Sequence, residues 1–98
     1  MAKTKANVET RHGASYAKRL CRHFAHKIPT KVEDRHARIE FPFGPCNIDV
    51  DDTHMHIVVE LSDESQIERA EKVVADHLVR MANKDEPVVN WVRVPDGE

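Results

Sequence analysis

The chain has 98 residues, 40% of them hydrophobic and 33% charged, which is the size of one domain with a modest core. No apolar run nears the roughly 18 residues that span a bilayer, and MAKTKANVETR at the N-terminus lacks the apolar stretch of a secretory signal. A membrane partner is therefore not expected, and the cytoplasm is the expected location. Two cysteines, Cys21 and Cys46, are too few for a disulfide framework and read as free thiols.

Residues 1–5 are expected to form a disordered leader, followed by a brief edge strand over Ala6 to Glu9. Thr10 is placed to cap a helix from Arg11 to Lys27, in which Ala17, Leu20, Cys21, Phe24 and Ile28 recur at spacings of three and four. Pro29 stops it. Four segments with strand character follow: a weak one over 30–34, then 36–43, 45–51 and 54–61. In the last three, Ala37, Ile39, Phe41 and Phe43, then Cys46, Ile48 and Val50, then Met55, Ile57, Val59 and Leu61 fall on alternate positions. A sheet with one buried face demands that alternation. The connectors Gly44–Pro45 and Asp52–Thr53 are short enough for antiparallel hairpins. Asp63 caps a second helix, Gln66 completes a capping box, and Ile67, Ala70, Val74, Leu78 and Met81 make the apolar stripe. Residues 83–87 end that helix and 88–94 form a last strand. The order β-α-β-β-β-β-α-β, with one apolar face on each layer, predicts a single α+β domain over 1–98. Its form is a two-layer sandwich, an antiparallel sheet with two helices on one face.

Charge is distributed unevenly. Residues 1–27 carry seven Lys/Arg against the single acid Glu9, so the remainder holds −8 of the −2 total. Lys18, Arg19 and Arg22 make the first helix a candidate anion-binding surface, and neutralisation by the acidic body within the monomer is the plainer reading.

The stretch LCRHFAHK, Leu20 to Lys27, holds one thiol and two imidazoles. At 100° per residue Cys21 lies on the apolar face, while His23 and His26 lie roughly 140–160° away. A single ion cannot gather ligands from opposite sides of one helix, and neither histidine reaches the thiol as a base. His23 and His26 share a polar face as a two-imidazole half-site, short of the three or four protein ligands that zinc takes. Cys46 also turns inward by strand parity. The two thiols are then either a redox or metal pair or two small core residues.

In DVDDTHMH, a turn at Asp52–Thr53 sets Asp51 against His54 and Asp49 against His56 on the outer side of the sheet. Asp49, His54 and His56 are the candidate ligands of a divalent metal such as zinc or iron, or stabilising cross-strand pairs. Val58, Val89 and Trp91 make one candidate outward set on the sheet and suit a homodimer through that face. Val88, Val92 and Val94 are the rival inward set. If the last strand has the opposite parity, Trp91 is core. No phosphate loop, GxSxG elbow or HExxH is present. Nucleic acid is not an expected partner, because acids line the outer sheet and interleaved aromatics are missing.

LCRHFAHK, IEFPFGPC and a closing VNWVRV together resemble small bacterial proteins of domain-of-unknown-function family 2218, across residues 8–94. The resemblance rests most on Cys21, His23, Phe24, His26, Gly44 and Cys46. It differs at the first helix, where other members begin Thr-Pro and this chain has Thr10–Arg11, a tolerated change because proline at that place is only favoured. The resemblance implies no assigned activity. Related domains occurring beside siderophore-interacting flavin reductases imply an association with iron handling and such a reductase as partner. The Asp49, His54, His56 ladder lies outside the family pattern. The leading expectation is a small non-enzymatic binding or accessory domain. The rivals are a thiol- or metal-dependent enzyme or redox protein centred on Cys21 and Cys46, and a homodimeric scaffold.

Overall fold

A computed structural model describes residues 2–94. Strands β1 (Ala2–Glu9), β2 (Thr30–Val32), β3 (His36–Phe41), β4 (Gly44–Val50), β5 (His54–Leu61) and β6 (Trp91–Val94) are joined by helices α1 (Gly13–Phe24) and α2 (Ile67–Met81). The six strands form one sheet in the order β2-β3-β4-β5-β1-β6, antiparallel at every pairing. Both helices lie on one face, giving the α+β sandwich expected from the sequence. Among the described residues no helix is long and apolar enough to cross a membrane.

Period-two patterning decides which side each strand buries. Ala37, Ile39 and Phe41 on β3, Cys46 and Ile48 on β4, and Met55, Ile57, Val59 and Leu61 on β5 all face the helices and are buried. Tyr16, Ala17, Leu20 and Cys21 of α1 and Ala70, Val74 and Leu78 of α2 close over them. Each large aliphatic side chain in this layer contributes on the order of 1.5–3 kcal/mol by leaving water.

The residues expected to be a disordered leader are instead strand. β1 begins at Ala2 and pairs along its whole length with β5, from Ala2 opposite Leu61 to Glu9 opposite His54. Met1 lies outside the described residues. β1 is not an edge either, because β6 pairs on its other side. Its inward residues Ala2, Thr4, Ala6 and Val8 are buried, and small side chains there let α2 approach closely.

Several boundaries also differ, among them the last strand, which begins at Trp91 and not at Val88. α1 starts at Gly13 with His12 as its capping residue, and Thr10 acts one step earlier, its hydroxyl accepting the His12 N–H at 3.1 Å. The helix ends at Phe24, so His26 sits in the following turn, where the Ile28 N–H reaches the Phe24 carbonyl at 2.8 Å. The β3–β4 turn is Pro42–Phe43, not Gly44–Pro45, since Phe41 pairs with Gly44. Gly44 has φ +142°, and a Cβ there would come 1.8 Å from the Glu60 carbonyl oxygen. Only glycine lets the β4 backbone pass so close to β5. In the last strand Trp91 stands opposite Ala6 and turns inward, while Val92 stands opposite Lys5 and is 58% exposed. The sequence had offered both parities. The pairing selects the one that turns a half-buried Trp91 toward the core and puts Val92 outside.

Candidate functional site

Where α1 ends and the β3–β4 hairpin turns, aromatic rings collect at one end of the sandwich. Phe24 meets Phe41 edge-on at 4.9 Å between centroids, and Phe41 stacks on Phe43 at 4.8 Å with 16° between planes. A turn closed by the Ile28 N–H on the Phe24 carbonyl reverses the chain after α1, and the turn at Pro42–Phe43 returns Phe43 beside Phe41, so two local chain reversals build the cluster. Between it and the start of α2 lies an open groove of about 480 Å³, walled by Phe24, Ile28, Phe41, Phe43 and Val73. Arg69 and Asp63 supply charge at its rim. A largely apolar cleft with a few polar groups at its margin is the usual form of a small-molecule site. On the far side of Phe24, His77 of α2 lies 4.9 Å from its ring and His23 lies 5.0 Å from both Phe24 and His77.

Cys21 and Cys46 both point into the core and are free thiols. Burial raises the Cys21 thiol, and burial together with a repulsive Cys21 charge pushes Cys46 up to about 12. Both therefore remain protonated at neutral pH and lack the electropositive, accessible setting of a reactive thiol. His23 and His26 are exposed, on the side away from Cys21. Gly44 is a packing requirement rather than a ligand position. Of the candidate anion residues, Lys18 and Arg22 are exposed, while Arg19 reaches back to the Met81 carbonyl at 3.4 Å and ties α1 to the end of α2.

The outer-face ladder has the expected register, with Asp49 opposite His56, and different bonding. His36 Nδ1 contacts the Asp49 carboxylate at 2.8 Å, so Asp49 is committed to β3. His56 spans Asn7 Oδ1 at 2.8 Å and Asp51 Oδ2 at 2.9 Å. His54 Nδ1 meets the Thr53 hydroxyl at 2.8 Å. Asp51 also accepts the Thr53 and His54 N–H groups at 2.8 and 2.7 Å. The His56 contact first, then these turn amides, hold its carboxyl well below the usual carboxylate range. Asp51 is thus the fastener of the β4–β5 turn. The proposed Asp49–His54–His56 triad is not gathered about one point, and among the described residues no three His, Cys, Asp or Glu side chains are.

Two polar clusters had no local signal. The Tyr16 hydroxyl, fully buried, donates to Asp85 Oδ1 at 2.5 Å, and the Thr10 hydroxyl donates to Asp85 Oδ2 at 2.7 Å. The Lys84 and Asp85 N–H groups both donate to the Tyr16 oxygen at 3.2 Å. Tyr16, then Thr10, hold the Asp85 carboxyl below its ordinary value, while burial first and the Asp85 bond second raise the Tyr16 phenol. In the other cluster, the buried Thr4 hydroxyl donates to Glu71 at 2.7 Å and Arg93 grips the same carboxylate at 3.2 and 3.0 Å. Burial pushes Glu71 up, but the Arg93 and Thr4 bonds outweigh it and the carboxyl is lowered. The partners are 69, 75, 67 and 22 residues apart, beyond the reach of any periodicity argument. Both clusters have the character of fasteners: one pins the α2–β6 loop to α1, the other pins β6 and β1 to α2.

A family model described as an uncharacterized protein conserved in bacteria, DUF2218, matches residues 5–92. The NMR structure of PA4090 from Pseudomonas aeruginosa is similar to this chain at 30% identity and a TM-score of 0.77, covering 94% of this chain and 96% of that one. No curated protein matches the chain.

Proposed function

The chain belongs to the bacterial DUF2218 family, and we propose that it serves there as a small binding domain whose receiving surface is the aromatic groove. The observation that carries this reading is the open cleft of about 480 Å³ walled by Phe24, Phe41 and Phe43 with Arg69 at its rim. Flat rings stack on such walls, and an aromatic contact adds about 0.5–1.5 kcal/mol beyond the area it buries. The Arg69 guanidinium favours a ligand carrying negative charge, and the Asp63 carboxylate on the same rim is already engaged by Ser65. An aryl-bearing anion fits both features. The link to siderophore-interacting flavin reductases that the sequence resemblance implies makes an aryl iron chelate the first ligand to try. The thiol-enzyme alternative is disfavoured by the buried, protonated state of Cys46.

The test is a backbone amide NMR titration with the gallium(III) complex of 2,3-dihydroxybenzoate, a diamagnetic stand-in for the ferric complex, and with metal-free 2,3-dihydroxybenzoate. Saturable shifts confined to Phe24, Phe41, Phe43, Gln66 and Arg69, lost in Phe43→Ala and weakened in Arg69→Gln, are expected. Shifts centred elsewhere, or none at millimolar ligand, would refute the aryl-chelate reading.

A further inference from the structure

We infer that His23 and His77 form a two-imidazole site for a divalent transition-metal ion, joining the last turn of α1 to α2. This does not rest on the groove reading. The two rings belong to different helices and lie 5.0 Å apart between centroids with 45° between planes. A metal–nitrogen bond of about 2.0–2.1 Å, plus roughly 1.1 Å from nitrogen to ring centre, puts two imidazoles on one tetrahedral ion about 5.2 Å apart. The observed 5.0 Å leaves room for one ion once rotation about the side-chain bonds turns a nitrogen of each ring toward it.

The ring nitrogens agree with that role. His77 Nδ1 donates to the Val73 carbonyl at 2.7 Å, which fixes the proton there and leaves the Nε2 lone pair as the donor atom. A backbone carbonyl behind the ring is how ligating histidines are commonly oriented. His23 is exposed, and among the described residues no hydrogen bond engages its ring nitrogens. By contrast, His36, His54 and His56 have ring nitrogens committed to side chains on the outer sheet. His23 also stands in the last turn of α1, where the partial negative charge of a helix C-terminus favours a cation. Phe24, in contact with both rings, holds them in place.

No third protein ligand joins them among the described residues, so the pair falls short of the three or four protein ligands of a resident zinc site; it would hold an exchangeable ion whose remaining positions fall to water or an external donor. Imidazole nitrogens with open positions suit zinc, copper(II) or nickel(II) rather than magnesium or calcium.

The probe is Zn²⁺ alone, followed by long-range ¹H–¹⁵N NMR of the imidazoles in the folded protein. His23 and His77 should respond together in one saturable step, with the His77 change at Nε2. The variants His23→Phe and His77→Phe keep an aromatic ring in each place and remove only the nitrogens. Each should weaken Zn²⁺ binding by at least about tenfold, while His26→Phe leaves it unchanged. A first response at His26 or at the outer-sheet histidines overturns the assignment, as does unchanged affinity in either His23→Phe or His77→Phe. Because His23→Phe alters an exposed position, the test stands even where His77→Phe loosens the helix packing.

Discussion

Replacing Tyr16 with phenylalanine isolates the contribution of one oxygen. The ring, fully buried against the sheet, stays, so no sizeable cavity opens. What goes is the 2.5 Å hydrogen bond to Asp85 and the acceptor for the Lys84 and Asp85 N–H groups at 3.2 Å. A hydrogen bond to a charged partner contributes about 1.5–3 kcal/mol, and the half-exposed loop lets water replace part of it. The expected loss is about 2 kcal/mol, or a fall in Tm of about 8–16 °C for a domain of this size. Urea unfolding should show a lower midpoint with an unchanged slope. The difference also depends on pH. The folded Asp85 carboxyl is held below its ordinary value, so the stability it contributes is fully present above the unfolded value of about 3.9 and disappears as pH falls through the folded one. Wild type and Tyr16→Phe should therefore converge on acidification. A variant within about 0.5 kcal/mol of wild type at pH 7, or a gap that widens in acid, refutes the reasoning.

The core thiols should resist Ellman's reagent at pH 8 in native protein and react at once in denaturant; rapid native labelling of Cys46 would contradict its position. Gly44→Ala forces a methyl into the Glu60 carbonyl, and a loss of at least about 2 kcal/mol is expected in chemical denaturation. Glu71→Ala removes the carboxylate that joins Arg93 to the buried Thr4 hydroxyl and leaves Thr4 only its 3.4 Å contact to the Val92 carbonyl, so hydrogen exchange should accelerate across β6 well before it does in β4. In the wild type, the lowered Glu71 carboxyl contributes stability above the unfolded carboxylate value, and that part is lost as pH falls through the folded one.

The parts of the fold that the sequence made legible are those where side-chain period and burial agree. Ile57, Val59 and Leu61, or Ala70, Val74 and Leu78, announce their faces because each lies on a stripe of uniform polarity. β1 escaped notice from Ala2 to Lys5 because its inward residues are Ala2 and Thr4, too small and polar to look like core, while the lysines between them look like a solvated tail. The last strand had two valine registers to choose from, and only pairing with Ala6 selects the one that turns Trp91 toward the core. The helical wheel separated Cys21 from His23 correctly. It had no means of bringing His77 from another helix to within 5.0 Å of His23, and the outer ladder, though in the expected register, is bonded differently because His36, on a third strand, takes up Asp49.

The position of β1 in the sheet has a consequence for how the chain comes together. β2 to β5 form a meander whose pairings are all between sequence neighbours, so that half can assemble as it is synthesised. β1 precedes the meander in the chain yet must wait for β5 before it finds a partner, and β6 then has only β1 to lie against. The first and last described strands are thus side by side, and the register of β6 is set by a strand that precedes the meander in the chain. Trimming a handful of N-terminal residues would strip the closing strand of its seat while sparing the meander, and such late, long-range closure is the slow step of antiparallel folding.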